Sequence, residues 1–201
     1  MKKKTRNILL SILIGAFLLC AIVGGTVYYY LFAPQFHPSK TVYVYIDRDD
    51  TADSIYNKIR QTGHVNQFTG FLWMAKYKKL NQNIHTGRYA IRPNDNVYHV
   101  FSRLSRGYQE PINLTIGSVR TLDRLARSVG KQLMIDSAEI ARHLFDSTFQ
   151  AEMGYTPITM ACLFIPETYQ VYWDMSVDDF FKRMQTEHQR FWNNERLARA
   201  T

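Results

Sequence analysis

The stretch TVYVYIDRDDTADSIYNKI, residues 41–59, decides the fold of the chain. Its first six residues are β-branched or aromatic, which predicts a strand over Thr41–Ile46. Acidic and hydroxyl side chains at 49–51 are typical helix caps, and the helix that follows carries Ile55 and Ile59 on one face. A strand that leads directly into an amphipathic helix indicates an α+β domain.

The residues downstream extend this pattern into a small βααβ module. A second helix is predicted over residues 67–80 and a short strand over Gly87–Ile91. A third helix, ended by Gly107, and an alternating strand over Pro111–Ile116 lead out of the module. We therefore assign residues 41–116 to one module with a following helix and strand.

Residues 117–201 have the pattern of a further α+β domain. A helical stripe begins at Leu122, and Asp136 is a cap for another helix. The apolar run Ala161–Ile165 precedes a turn that we predict at Pro166–Tyr169.

A long helix is predicted from about residue 174 to Asn193. Its apolar stripe consists of Val177, Phe180, Phe181, Met184, His188 and Phe191. The remaining sequence offers no evident partner for this stripe. We therefore expect the stripe to be exposed or to fold against the wrong surface, and the domain over 117–201 to be truncated and marginally stable.

Upstream of the module, Ile8–Phe32 contains 25 residues without a charge. As a helix this run would span about 37 Å, which exceeds the roughly 30 Å of a bilayer's hydrocarbon core. A cleaved signal peptide is the alternative, but its apolar run is shorter. Lys2, Lys3, Lys4 and Arg6 predict a cytoplasmic tail over residues 1–7 and an extracytoplasmic location for the rest.

Composition excludes several other classes. The net charge is +8, but the basic tail accounts for four positive charges, and the remainder has 21 basic and 17 acidic residues. That balance gives no indication of a nucleic-acid partner. The six histidines and two cysteines show no metal-ligand spacing, so no metal or cofactor is predicted, and Cys162 is expected to be a buried, inert thiol.

The segment LFIPETY, residues 163–169, is the strongest candidate for chemistry. Tyr172 and Trp173 follow it, so a carboxylate lies among aromatic side chains, as in a sugar-binding groove. The alternative is that the aromatic residues are core and Glu167 is a turn residue. The residue pattern leaves both interpretations open.

Three stretches give the chain its resemblance to the endolytic murein transglycosylase (YceG-like) family. Residues 86–93, TGRYAIRP, resemble the family's K-A-G-T-Y-x-F-x-P strand and turn, and Leu104–Gly107 resembles the L-x-x-G end of the next helix. Residues 117–122, GSVRTL, resemble the segment that opens the catalytic domain, with Ile116 where the family usually has Glu. Residues 164–169, FIPETY, resemble F-x-P-D/N-T-Y.

The resemblance implies a membrane-anchored enzyme that cleaves murein within glycan strands, between N-acetylmuramic acid and N-acetylglucosamine, and leaves 1,6-anhydro ends. It implies a LysM-like module at residues 41–91 and a catalytic glutamate in an A-S-I-V/I-E-x-E-T motif, which we expect downstream of Thr201. Glu167 is not assigned as the catalyst, because the family accepts Asn at that position. The candidate substrate-binding residues are Tyr89, Arg120, Phe164, Pro166, Glu167, Tyr169 and Tyr172.

The expected partners are peptidoglycan glycan strands, the cytoplasmic membrane and cell-wall synthases. The expected location is the bacterial inner membrane, with a single pass. We expect these 201 residues alone to be inactive. The alternative is a non-catalytic peptidoglycan-binding or scaffold protein of the cell-wall synthesis machinery.

Overall fold

The computed structural model describes residues 3–80, 84–118 and 120–200. Lys2 of the basic tail, Val119 of the 117–122 motif and Thr201 lie outside the described residues. The chain divides into two compact units, one formed by residues 1–85 and 89–108 and the other by residues 86–88 and 109–201. In the part of the chain that the structure describes, both units consist of helices and a two-stranded sheet, which confirms the predicted α+β class.

Helix α1 (Lys3–Leu31) begins the first unit. Within the described residues, its segment Ile8–Leu31 is the one helical stretch long and apolar enough to cross a membrane, with a mean hydropathy of 2.7. The side chains over Ile8–Tyr29 are exposed, whereas Tyr30 and Leu31 at its end are half-buried. The predicted apolar N-terminal helix is therefore confirmed as a helix.

The βααβ order predicted for the first unit is present. It consists of β1 (Val42–Ile46), α2 (Ala52–Thr62), α3 (Thr69–Tyr77) and β2 (Gly87–Ile91), followed by α4 (Val97–Ser105), and β1 pairs with β2. Thr51 accepts a hydrogen bond from the backbone N–H of Ser54 and so caps α2, while Asn96 caps α4 by accepting from His99 N–H. Ile55 and Ile59 point into the core, as their spacing predicted.

The segment after α1 is joined to this unit by backbone hydrogen bonds. The N–H groups of Gln35 and Phe36 both donate to the carbonyl oxygen of Asp95, at 3.0 and 3.1 Å, and Asn94 N–H donates to Phe36 O at 2.9 Å. The Phe36 side chain is fully buried in the core. The connection between helix and module is thus a packed part of the first unit.

The second unit contains β3 (Ile112–Ile116), α5 (Leu122–Gly130), α6 (Ser137–Phe145), α7 (Ser147–Glu152), β4 (Glu167–Val171), α8 (Val177–Phe191) and α9 (Asn194–Ala200). Strand β3 pairs with β4 in antiparallel register, from Ile112 opposite Val171 to Ile116 opposite Glu167. Ile112, Leu114 and Ile116 are buried and alternate with exposed residues, as predicted. In the sequence this strand follows the first module directly, but its pairing with β4 places it in the second unit.

Two expectations about the second unit are wrong. The predicted turn at Pro166–Tyr169 is largely strand, because Glu167–Val171 completes a ladder with β3. Exposure, one of the two outcomes expected for the apolar stripe of α8, does not occur: Phe180, Phe181 and Met184 are each at most 1% exposed, and Val177, His188 and Phe191 are half-buried. Phe164 stacks on Phe180 with ring centroids 6.1 Å apart, and Phe149 meets Phe181 edge-on at 4.9 Å. The stripe is covered by residues close in space but distant in sequence.

Candidate functional site

The β3–β4 ladder brings two of the three motif segments together. Ile116 and Glu167 are the last paired residues, so the chain segments that continue from them, Gly117 and Pro166, leave the ladder at the same end. Next along the ladder, the hydroxyls of Thr115 and Thr168 are 3.1 Å apart. Strand pairing therefore places the 117–122 motif beside the 164–169 motif.

The edge of β3 that does not pair with β4 is hydrogen-bonded to a side-chain amide near Ile116. Gln132 Oε1 accepts from the backbone N–H of Thr115 at 3.0 Å, and Gln132 Nε2 donates to the Thr115 carbonyl at 3.0 Å. The same Nε2 donates to Ser128 O in α5. An edge strand whose polar backbone is paired in this way is fixed relative to α5.

Both motif segments line one cavity of about 390 Å³. The lining is Gly117, Ser118, Arg120, Thr121, Leu122, Leu125, Pro157, Ala161, Phe164 and Pro166. Thr121 is the N-cap of α5, where its hydroxyl accepts from Arg124 N–H at 3.2 Å. The cap fixes where α5 begins, and so limits the loop that lines the cavity to residues 117–121.

The cavity combines an apolar surface with one cation. Phe164 is 8% exposed, and its ring stacks on that of Phe180. Arg120 is exposed and makes no ion pair with any residue that the structure describes. Among the described lining residues there is no Asp or Glu. The arrangement can contact an apolar ring face and an anionic group, but it offers no carboxyl for proton transfer.

Of the predicted site residues, Arg120, Phe164 and Pro166 therefore meet in this cavity. Glu167 is exposed as the first residue of β4, and its Oε1 accepts from the N–H of Thr168 at 3.1 Å. It follows Pro166 directly, but it is not part of the lining. Glu167 is thus adjacent in sequence to a lining residue without lining the cavity itself.

Tyr89 and Tyr169 lie in the cores of their respective units. Tyr89 is 1% exposed in the first unit, and Tyr169 is 5% exposed in the second. The Tyr169 hydroxyl donates to Ile165 O at 2.7 Å. Burial raises the pKa of this hydroxyl, and the carboxylates of Glu187 and Glu167 raise it further. Neither ring presents a broad surface to solvent, and their roles as substrate contacts stay predictions.

Tyr172 lines a second cavity of about 640 Å³ at the opposite end of the ladder. Asp174, Asp179 and Arg183 also line it. Asp174 Oδ2 accepts from Thr86 Oγ1 at 2.8 Å and from Gln109 Nε2 at 3.0 Å, and Asp179 Oδ2 accepts from Ser176 Oγ at 2.7 Å. Both carboxylates are thus engaged in local hydrogen bonds, and Tyr172 is separated from the 117–122 motif by the length of the strands.

Two further observations concern groups that could carry chemistry. No cluster of three His, Cys, Asp or Glu side chains suited to a metal occurs in the described ranges. The expected burial of Cys162 is wrong, since this thiol is exposed at the short 3₁₀ turn Met160–Leu163. The apolar residues around Cys162 in the sequence pack inward through Met160 and Leu163 and leave the intervening residues at the surface.

Sequence reasoning missed part of the lining. Pro157 and Ala161 contribute to the cavity, yet a proline in a loop and an alanine in an apolar run give no signal of a site. Ser118 and Thr121 belonged to a quoted motif but had not been singled out as contacts. The pairing of β3 with β4 places the 117–122 segment beside Pro166, and the fold of the second unit brings Pro157 and Ala161 to the same cavity.

Comparison with known proteins gives one family and a distant structural likeness. The model described as the YceG-like family matches residues 44–201. A protein described as YceG-like from Listeria monocytogenes is similar at 20% identity and a TM-score of 0.40, over 75% of this chain. The chain spans about half the length of that protein, 55%. No curated protein matches the chain.

Proposed function

Because the chain belongs to the YceG-like family, we propose that it serves as the murein-binding part of a membrane-anchored endolytic transglycosylase. The observation that carries the proposal is the cavity formed jointly by residues 117–122 and 164–166. Two segments that resemble the family's motifs are remote in sequence and adjacent in space, which is what a shared binding site requires.

The chemistry of the cavity suits an amino-sugar strand. The ring of Phe164 and the apolar surface of Pro166 can pack against the face of a pyranose ring. The guanidinium of Arg120 can form a bidentate contact with a carboxylate, and muramic acid carries one on its lactyl group or on the attached peptide. Glycan lacking such carboxylates should therefore bind less tightly than murein.

The reaction proposed for the whole protein requires a single acid–base group. The acid protonates the glycosidic oxygen that leaves, and the resulting base accepts the proton of the muramoyl 6-hydroxyl as that oxygen attacks the anomeric carbon. The described cavity lining contains no carboxylate to play this part. We therefore propose that these residues bind murein without cleaving it, which is also the non-catalytic alternative stated above.

Binding can be tested by sedimentation of the chain, in detergent, with purified murein sacculi. Arg120→Ala should lower the bound fraction, because it removes the cavity's cation. Arg124→Ala is the matched control, since it removes the same charge from an exposed residue of α5 outside the cavity. Equal binding by the two variants would contradict the assignment of the cavity.

Cleavage is tested separately by the products. The chain incubated with sacculi should release no 1,6-anhydromuropeptides. Anhydro products that disappear with Glu167→Gln would overturn the proposal and would make Glu167 the acid.

The location is proposed from α1 and the basic tail. The charge-free segment Ile8–Leu31 is the anchor, and the positive residues before it remain in the cytoplasm. Alkaline phosphatase fused to the C-terminus should then be active in cells. An inactive fusion, together with a fluorescent protein that matures at the same position, would reverse the topology.

A further inference from the structure

The end of α1 packs directly on α3 within the first unit. A Cβ at Gly70 would overlap the backbone carbonyl of Tyr30, so the two helices approach closely at this point. The ring of Trp73 lies 5.2 Å from that of Tyr30, centroid to centroid. Position 70 of α3 is therefore in contact with the last turn of the apolar helix, and Trp73 is at the same level.

A second contact fixes the same end of α1. Phe32 packs against Tyr98 of α4 with centroids 5.6 Å apart, and Asn96 Nδ2 donates to Phe32 O at 3.3 Å. Gln35 Nε2 donates to Tyr29 O at 3.0 Å. Residues 29–32 thus contact α3, α4 with its cap residue, and the segment after α1, so the position of the first unit follows that of the helix end.

The depth of these contacts follows from helix geometry. If the hydrocarbon core begins at Ile8, about 20 residues cross its roughly 30 Å, so it ends near Val27. Tyr28, Tyr29 and Tyr30 then lie in the headgroup region, where tyrosine and tryptophan are enriched. Trp73, in contact with Tyr30, lies at that depth as well.

The outward side of α3 has the composition of an interfacial surface. Trp73 and Tyr77 lie four residues apart on the side of α3 opposite the buried Phe71 and Ala75, and Gly70 on that side is buried where it contacts α1. Trp73 is 52% exposed and Tyr77 is 83% exposed. Although Trp73 contacts Tyr30, both large rings remain largely exposed on the side of α3 that touches α1.

The charges near this face have one sign. Lys76, Lys78 and Lys79 are exposed at the C-terminal end of α3. From residue 66 to residue 94 the chain contains no Asp or Glu. Basic side chains beside exposed aromatic rings match the phosphate groups and the apolar–polar boundary of a phospholipid surface.

We propose that α3 is an interfacial helix, whose Trp73–Tyr77 side rests in the phospholipid headgroup region next to α1. The proposal rests on the membrane anchoring proposed above. It adds that the βααβ module is held against the bilayer surface through α3, so that the module lies close to the membrane. The contacts of residues 29–32 set this placement, and the rings and lysines of α3 stabilise it.

The test uses the full chain in vesicles of phosphatidylcholine and phosphatidylglycerol. Trp173→Phe and Trp192→Phe leave Trp73 as the sole tryptophan, and nitroxide lipids labelled at the headgroup or deep in the acyl chain act as quenchers. We expect blue-shifted Trp73 emission that loses more intensity to the headgroup label than to the deep label. Tyr77→Trp in the same background with Trp73→Phe should behave in the same way.

Two further variants separate the possible failures. Tyr45→Trp, again with Trp73→Phe, places the reporter on the sheet face opposite the core, and it should lose little intensity to either label. Phe17→Trp, also with Trp73→Phe, places the reporter within α1. Its emission should be quenched by the deep label, which checks that α1 is anchored in the bilayer. Loss of that quenching would overturn the anchoring and this proposal together. Quenched Phe17→Trp with unquenched Trp73 and Tyr77→Trp would overturn the interfacial helix alone.

The charge component has its own readout. Lys76→Gln, Lys78→Gln and Lys79→Gln together should reduce headgroup quenching of Tyr77→Trp in vesicles that contain phosphatidylglycerol. The same change should follow from replacing those vesicles by phosphatidylcholine alone. Quenching unaffected by both changes would contradict the contribution of the lysines.

Discussion

Replacement of Asp95 should lower the stability of the first unit. Its Oδ2 accepts from Arg92 N–H at 2.7 Å and is ion-paired with Arg103, and its Oδ1 accepts from Arg103 Nη2 at 3.1 Å. Arg103 also donates to Ala90 O at 3.0 Å. The carboxylate and the guanidinium are 8% and 18% exposed, so each charge depends on the other for its stabilisation.

Asp95→Ala removes the carboxylate and leaves the Arg103 cation largely buried. Breaking a buried ion pair in this way costs about 3–5 kcal/mol, whereas a solvent-exposed pair contributes about 0.2–1 kcal/mol. Lys58 and Asp47 form an exposed pair in the same unit, with N and O 3.8 Å apart and side chains 37% and 45% exposed. Asp47→Ala is therefore the matched control.

Amide hydrogen exchange of the full chain in detergent reports the stability of the first unit in both variants, and it requires no added label. With fast reclosing, Asp95→Ala should speed exchange in β2 by about two to three and a half orders of magnitude, since each 1.4 kcal/mol is a factor of ten. Asp47→Ala should change it by at most about fivefold. Equal rates for the two variants in peptides covering β2 would refute the claim that the Asp95–Arg103 pair stabilises this unit.

Three other predictions concern the second unit. Tyr169→Phe should lower the free energy of unfolding by about 1–3 kcal/mol, because Ile165 O loses its donor, while Tyr172→Phe at a 56% exposed site should leave it unchanged in urea titrations. Phe180→Ala should cost about 3–5 kcal/mol by the same measurement, and a smaller loss would mean that the α8 stripe is poorly packed. Burial lowers the pKa of His188 below 6.5, so the unfolded chain binds its proton first and stability should fall as pH drops from 6.5 toward the folded pKa. NMR titration of this imidazole checks the direction, and His188→Gln should flatten that part of the pH dependence.

Local pattern was sufficient for the first unit. The β-branched and aromatic run at 42–46 and the spacing of Ile55 and Ile59 depend on neighbours within a few residues, and both are found as predicted. The caps at Thr51 and Asn96 also act within one helical turn. The extent of α3 was overestimated, since it covers Thr69–Tyr77 where residues 67–80 were predicted, and Lys79 beyond it has a φ of 49°.

The errors arise where the deciding partner is distant in the chain. Pro166 is typical of turns locally, but Thr168 lies opposite Thr115, 53 residues earlier, and the ladder that joins them begins directly after the proline. The cover of α8 comes likewise from Phe149 and Phe164. The hydrophobic periodicity of a single segment cannot predict contacts between segments that are distant in the sequence.

The same reason limits what the sequence says about the site. The motifs at 117–122 and 164–169 were identified through the resemblance, and residue pattern alone did not join them. Their contact at one cavity depends on the register that sets Ile116 opposite Glu167. Tyr169 carries a motif position yet is buried, which residue type could not distinguish from an exposed aromatic contact.

Protection of the cavity by its ligand tests the account most directly. With both native cysteines replaced by serine, Ser118→Cys puts a thiol in the lining, and Ser147→Cys puts one at an exposed site outside it. We predict that murein glycan fragments slow alkylation of the thiol at position 118 and leave that at position 147 unchanged. Equal alkylation rates at position 118 with and without fragments, under conditions where the chain sediments with murein, would show that murein binds elsewhere.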